Sequence, residues 1–289
     1  MALKEESCSK CFDGRQLVYS HDSETLKCNM RFAVYLPPAA ESRKVPVLYY
    51  LSGLTCTEQN VITKAGAQRI CAKHNIALVC PDTSPRGVNL EGEDDTWQFG
   101  TGAGYYLNAT QEPWSKHYHM FDYVTKELPA LVEKELPVTA TKSIFGHSMG
   151  GHGALICALK CPGQYASVTA FAPICNPSVT PVASKALKGY LGDDKAAMEA
   201  YDATCLVGSY NGPMMDILID QGTNDGFYKD KDLEPEAFVR AAAANPNISV
   251  VLRKHEGYDH GYYFISSFME DHVDIHAAAL NEDGSGAAN

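Results

Sequence analysis

The stretch SIFGHSMGGHGAL, residues 143–155, decides how the rest of the chain is read. An apolar lead-in, Ser143-Ile144-Phe145, runs into Gly146-His147-Ser148-Met149-Gly150 and then into small and apolar residues at helical spacing. The pattern predicts a strand closing at Gly146, a helix opening at Met149, and a serine on the sharp turn between them. Glycines two residues either side of Ser148 permit the strained backbone that lifts a hydroxyl above a sheet edge. At the start of the helix the Met149 N–H has no intrahelical partner, so it is free to donate to an oxygen that becomes negative during a reaction. Three fixed residues recur by chance; a strand before them and a helix after them do not recur so easily.

Working outward, short apolar runs alternate with longer helical patterns. Strands are expected at Met30–Pro37, Val45–Gly53, Ile76–Pro81, Ser143–Gly146, Ser167–Pro173, Met215–Gly222 and Ile248–His255. Helices are expected at Val61–His74, Tyr118–Leu136 with a kink at Pro129, Met149–Lys160, Pro235–Ala244 and Tyr262–Ala279. Several of the strands are apolar throughout, as strands buried on both faces of a mostly parallel sheet must be. The alternation predicts an α/β sheet with helices on both faces. Residues 16–37 hold two strand-like halves with no helix between them, which predicts an antiparallel hairpin at one edge. With no repeat and no linker of biased composition, residues 1–289 read as one domain. Two segments, Thr83–Ser115 and Ile174–Gly212, are too long for plain connectors, and such loops usually carry function.

Composition excludes more than it selects. The 289 residues are 45% hydrophobic and 20% charged, enough for a substantial core. A formal net charge of −11 argues against nucleic acid or an anionic membrane as partner. No apolar run reaches the roughly 20 residues of a membrane helix, and the charged N-terminus MALKEESCSKCFDG has no apolar core of a secretory signal. Ten cysteines without an export signal read as reduced thiols, with the cytosol as the default compartment. Cys8 and Cys11 form one C-x-x-C without a second pair, and Cys157 and Cys161 read as small core residues. The C-terminal NEDGSGAAN, residues 281–289, reads as a flexible, solvated tail.

A serine hydroxyl needs a base, and the base needs an acid to orient it. On a parallel sheet of this kind both follow the serine, on loops after later strands. The run ILIDQGTND offers Asp220 at the end of a strand and Asp225 on the loop beyond Gly222; loop placement favours Asp225. The run VVLRKHEGYDHGYYF offers His255 at a strand end and His260 on the loop before a helix, with Gly261 giving room for approach; His260 is favoured. A second oxyanion donor should follow an early central strand, and LYYLSGLTCTEQN supplies the N–H of Leu54. Cys56 then lies near the site, as a redox-sensitive or substrate-contacting thiol or as a small loop filler. His117 and His119 lack a third ligand at useful spacing, and neither a metal nor a cofactor is required.

The runs LSGLTCTEQN, PDTSPRG, GEDDTWQFGTGAGYY, FGHSMGGHGAL, AFAPICNP, DQGTNDGF and GYDHGYYF, in this order between about Arg31 and His272, resemble the S-formylglutathione hydrolase (esterase D) family. The resemblance implies an α/β-hydrolase fold with a mostly parallel central sheet and an antiparallel N-terminal hairpin. It implies hydrolysis of a small glutathione thioester, S-formylglutathione, in formaldehyde detoxification, by a cytoplasmic and often homodimeric enzyme. Carried over residue by residue, the family's triad is Ser148, Asp225 and His260, and its oxyanion donors are the backbone amides of Leu54 and Met149. A formyl group suggests a cramped acyl pocket, for which Trp97, Phe99 and Tyr105 are candidates; they serve equally well as packing for the long loop.

One segment departs from the family. After APICNP the family commonly continues with a Cys-Pro-Trp-Gly-like run, whereas this chain reads SVTPVASKALKGYLG, with Leu187 where an aromatic is usual. That bears on substrate preference and not on the triad. Lys185 and Lys188 could meet a glutathione carboxylate there or stand as solvated surface charges. Two rival readings stay open: a broad carboxylesterase or acyl transferase using the same triad, and a hydrolase-fold binding protein without turnover.

Overall fold

The computed structural model describes residues 3–282. Nine strands form one sheet: β1 Lys4–Cys11, β2 Gly14–Ser23, β3 Cys28–Leu36, β4 Val45–Leu51, β5 Ala77–Pro81, β6 Val138–His147, β7 Val168–Phe171, β8 Met215–Gly222 and β9 Ile248–His255. Their order across the sheet is β1-β2-β3-β5-β4-β6-β7-β8-β9. The pairs β1/β2, β2/β3 and β3/β5 are antiparallel and every later pair is parallel. The central strands are the apolar ones: in β4 (VPVLYYL) and β5 (ALVCP) nearly every side chain is buried, because helices cover both faces.

The helices are α1 Glu58–Lys64, α2 Ala67–His74, α3 Met120–Asp122, α4 Leu128–Glu135, α5 Met149–Lys160, α6 Ala183–Leu191, α7 Lys195–Glu199, α8 Ala203–Val207, α9 Gly226–Lys229, α10 Pro235–Ala242 and α11 Tyr262–Glu282. Strand alternation separates the two longest. Gly146 of β6 faces α5, its missing Cβ being replaced by the Gly150 carbonyl. Phe145 of β6 and Phe171 of β7 face α11, against His276 and His272 respectively. After β4 the chain goes to β5 on one side and then crosses to β6 on the other. The carboxyl ends of β4 and β6 therefore flank a topological switch point, where α/β sheets form their crevices.

Four expectations need correction. The N-terminal hairpin is not at the edge: β1 lies outside it, joined by ladder bonds and a hydrogen bond from Ser20 Oγ to Glu6 (2.6 Å), and is exposed almost throughout, so it leaves no hydrophobic pattern to read. The helix expected over Val61–His74 is two helices, broken at Gly66, which sits at φ +72°. The helix expected over Tyr118–Leu136 is α3 and α4 joined by a π turn, Tyr123–Glu127. Pro129 has no N–H to give the Thr125 carbonyl, and the Gln164 side-chain amide donates to that oxygen instead at 2.8 Å. Ile174–Gly212 is not an irregular loop but carries α6, α7 and α8. The expected C-terminal tail, about residues 281–289, begins at the end of α11 and otherwise lies outside the described residues.

A buried polar chain fixes α11 to the sheet. Ser143 Oγ meets Ser167 Oγ (2.8 Å), and Ser167 Oγ meets His276 Nδ1 (2.7 Å). His276 Nε2 and His272 Nδ1 share Thr169 Oγ1 (2.9 and 2.7 Å), and His272 Nε2 reaches Asp220 (3.1 Å). Arg253 then donates twice to Asp220, from Nε and Nη2 at 2.6 Å each. Burial lowers the basicity of His272 and of His276, and it does the same to His147 and His152. These rings bind protons more readily in the unfolded chain, so their contribution is complete above their ordinary pKa of about 6.5 and shrinks as pH falls below it. Urea denaturation is expected to give a lower midpoint at pH 5.5 than at pH 7.5; an unchanged or higher midpoint at the acid pH would contradict this role.

Candidate active site

β6 delivers Ser148 to a turn at φ 58°, ψ −120°, a conformation that costs a non-glycine residue roughly 1–3 kcal/mol. Its neighbours impose it. The Ser148 N–H donates to the Phe171 carbonyl at 2.9 Å, and its carbonyl accepts from the N–H groups of His152 (3.0 Å) and Ile174 (3.2 Å). A Cβ on Gly150 would lie 1.9 Å from the Leu51 oxygen, and one on Gly146 would lie 2.3 Å from the Gly150 oxygen. Only glycine fits at either position, which is the physical reason for the spacing in G-x-S-x-G.

The loop after β4 lies directly on this turn, with a Cβ on Gly53 only 3.1 Å from that of Ser148. Thr55, at φ 67°, donates its N–H to Gly102. The Cys56 carbonyl accepts from Thr83 Oγ1 (2.5 Å) and Arg86 Nη2 (3.2 Å), and Arg86 grips Asp82 through Nε and Nη2 at 2.7 and 2.9 Å. Among the described residues neither the Leu54 N–H nor the Met149 N–H has a hydrogen-bond partner. Two unspent donors thus flank the turn that carries Ser148.

Asp225 and His260 come together from loops after β8 and β9. Fully buried, Asp225 caps α9, Oδ1 accepting from the N–H of Phe227 at 2.8 Å. Oδ2 accepts from Gln221 Nε2 at 3.0 Å and meets His260 Nδ1 at 2.6 Å. Burial alone would raise this carboxyl; the hydrogen bonds from His260 and Gln221 outweigh it and hold the group below the usual carboxylate range. With Nδ1 bound to an ionised carboxylate, Nε2 is the ring nitrogen left for chemistry. The rings of His147 (4.4 Å) and Phe227 (4.7 Å) hold the imidazole in place.

The competing residues are spent elsewhere. Asp220 takes Arg253 and His272, and His255 lies 3.2 Å from Asp220 and stacks on Phe268 at 3.7 Å. The partners of Asp220 are side chains of β9 and α11, beneath the sheet edge.

Ser148 and His260 open onto one cavity of about 230 Å³, which Leu54, Cys56 and Trp97 also line. Of the three aromatic pocket candidates only Trp97 belongs to it, its ring 6.3 Å from Phe227. Phe99 is turned away between Trp114 and Tyr190, at 4.6 and 4.3 Å. Tyr105 is fully buried beside His152. Both are packing residues of the folded-back loop. Burial pushes the Cys56 thiol above its ordinary range, which keeps it protonated and a weak nucleophile. Lys188 is tied to Asp193 on the surface, and Leu187 is buried in α6. From the divergent segment it is Val182 and Ala183 that reach the cavity. The sequence assigns no role to Gln221, His147 or Arg86; His147 and Arg86 act through contacts with distant segments, His260 and the Cys56 carbonyl, while Gln221 reaches Asp225 four residues on. Among the described residues no group of three or more His, Cys, Asp or Glu side chains is placed to hold a metal ion.

The family model described as "Putative esterase" matches residues 23–275. The chain is 58% identical to the S-formylglutathione hydrolase of Rattus norvegicus, over 97% of this chain and all of that one. To the S-formylglutathione hydrolase of Arabidopsis thaliana it is 56% identical, over 96% and 98% of the two chains. The chain belongs to the S-formylglutathione hydrolase family. A solved S-formylglutathione hydrolase from Agrobacterium tumefaciens superimposes with a TM-score of 0.92 at 50% identity, covering 96% of this chain and 99% of that one. The sheet and its flanking helices are accordingly an α/β-hydrolase fold with an antiparallel N-terminal extension.

The close approach at Gly150 can be tested on its own. Gly150→Ala is expected to lose more than about 2 kcal/mol of unfolding free energy or to be recovered insoluble, since backbone must move to admit the methyl group. Gly208→Ala, where a Cβ meets nothing within 4 Å, is the control and should be nearly neutral. Equal behaviour of the two variants in chemical denaturation would contradict the assigned constraint.

Proposed function

We propose that the chain works as one α/β-hydrolase domain that hydrolyses S-formylglutathione to glutathione and formate. In this reading Ser148 is the nucleophile, His260 the general base, Asp225 the residue that orients it, and the amides of Leu54 and Met149 the oxyanion donors. The observation that carries it is the 2.6 Å pair between buried Asp225 and His260, opening onto the cavity that also holds Ser148 at its strained turn.

Ser148 Oγ attacks the thioester carbonyl carbon as His260 Nε2 accepts the hydroxyl proton. The carbonyl π electrons move onto oxygen, where the two amides stabilise the charge; each such donor is typically worth about 3 kcal/mol in the transition state. When the C–O double bond re-forms the C–S bond breaks, and its electrons leave on the glutathione sulfur. A thiol pKa of about 8.5 makes this a good leaving group, so the proton returned from His260 need not assist strongly. Water, activated by the same imidazole, then attacks the formyl-serine, and formate departs as Ser148 Oγ recovers its proton. Asp225, ionised throughout, holds the ring and stabilises its charged form.

The cavity is small, as the smallest acyl group allows. Release of free glutathione with formate fits the last step of glutathione-dependent formaldehyde removal. Ten unpaired cysteines suit a reducing, cytosolic setting. A homodimer is part of the same reading, and light scattering checks it.

The test is steady-state hydrolysis of S-formylglutathione beside an activated aryl acetate. Wild-type protein is expected to favour the thioester in kcat/KM. Ser148→Ala should abolish both activities, and Asp225→Asn should lower kcat by about 10⁴-fold with the fold intact. Good ester activity with weak thioester turnover, both lost in Ser148→Ala, would keep the triad and overturn the substrate in favour of a broad carboxylesterase.

A further inference from the structure

S-formylglutathione carries one cationic group, the α-ammonium of its γ-glutamyl residue, and two carboxylates. Among the described residues the cavity around Ser148 is lined by no lysine or arginine, and its one aspartate is Asp232. That residue lies on the connection between α9 and α10, across from the start of α6. One carboxylate oxygen, Oδ1, accepts from the Val182 N–H at 3.0 Å, which fixes the side chain. The other, Oδ2, has no hydrogen bond or ion pair among the described residues. Nearby, Tyr105 is fully buried with a hydroxyl that has no hydrogen-bond partner. Burial first, and then the charge of Asp232, push that hydroxyl above its ordinary range. A fixed carboxylate with one free oxygen, in a cavity without fixed cations, is placed to accept from an ammonium group.

We infer that Asp232 is the binding subsite for the ammonium group of the substrate's γ-glutamyl residue. The assignment rests on the proposed thioesterase function and extends it to recognition of the part of the substrate that does not react. Such a contact secures the end of the substrate remote from the formyl group, and so contributes to holding the carbonyl carbon at Ser148. It selects for a free amine, because a carboxylate in a mostly apolar cavity is left unpaired when the amine is masked. A shallower cleft of about 430 Å³ shares Phe227 and His260 with the cavity and carries Asp230 and Asp259 at its rim. Those two carboxylates are exposed, and their attraction for a cation is weakened by solvent and salt.

The experiment compares kcat/KM for S-formylglutathione with that for its N-acetylated form, in which the ammonium is replaced by a neutral amide. Wild-type protein is expected to favour the free amine by about tenfold, the scale of one charge-assisted hydrogen bond, chiefly through KM. In Asp232→Asn the side chain can still accept from Val182 while its charge is gone, and the ratio should fall towards one. Asp259→Asn should leave the ratio as in wild type. A ratio unchanged in Asp232→Asn, a ratio lost in Asp259→Asn instead, or an equal fall on both substrates would overturn the assignment and leave Asp232 a structural tie to α6. Failure of wild-type protein to turn over either thioester would sink the functional reading itself, and this inference with it.

Discussion

The Leu51 carbonyl oxygen lies where a side chain on residue 150 would have to be. That close approach, β4 against the first turn of α5, is the constraint on which the site depends. It fixes the end of β4 against the turn after β6, so that the loop beginning at Gly53 comes within van der Waals reach of Ser148. The N–H of Leu54, on that loop, and the N–H of Met149, next to the serine, are both without partners among the described residues. Strain at Ser148 is held by three backbone hydrogen bonds, to Phe171, His152 and Ile174, which tie the turn to β7, to the first turn of α5 and to the chain just beyond β7. No flexible side chain takes part in this frame. It is made of backbone and glycine, which is why it can be preorganised at no cost during the reaction.

Around that frame the charged groups are sorted by depth. Beneath the sheet edge, Asp220 is saturated by Arg253 and His272, and its role is to hold α11. Above it, Asp225 spends one oxygen on the start of α9 and keeps the other for Gln221 and His260. Two aspartates five residues apart thus do different work, because one ends a strand whose side chains alternate into the α11 layer and the other begins a short helix at the mouth of the cavity. The same logic separates His255 from His260. Cys56, although it lines the cavity, is kept as a neutral thiol by burial.

The strand-to-helix turn at Ser148, the pairing of Asp225 with His260 and the positions of the central strands were legible in the sequence because each has a local signature: apolar runs of strand length, then glycine, then a polar residue on a loop; the order of those strands across the sheet was not. β1 was not, since an edge strand exposed on both faces carries no hydrophobic alternation. The break at Gly66 left a mark, a single glycine, too weak to outweigh an otherwise helical pattern. The pocket was the least legible. Trp97, Phe99 and Tyr105 share one aromatic-rich segment, and only the folding of that segment onto Trp114 and Tyr190 decides which of them reaches the cavity. Val182, Ala183 and Asp232 reach it from segments far apart in sequence, joined by a backbone-to-carboxylate bond that no spacing rule encodes.

The central claim is that Ser148, and no other group of the cavity, receives the formyl group. Rapid-quench mass spectrometry during turnover of S-formylglutathione, followed by peptide mapping, tests this most directly. The account expects the mass of one formyl group on the peptide that contains Ser148, and none after Ser148→Ala. A formyl group found on the Cys56 peptide, or turnover that persists in Ser148→Ala, would contradict it.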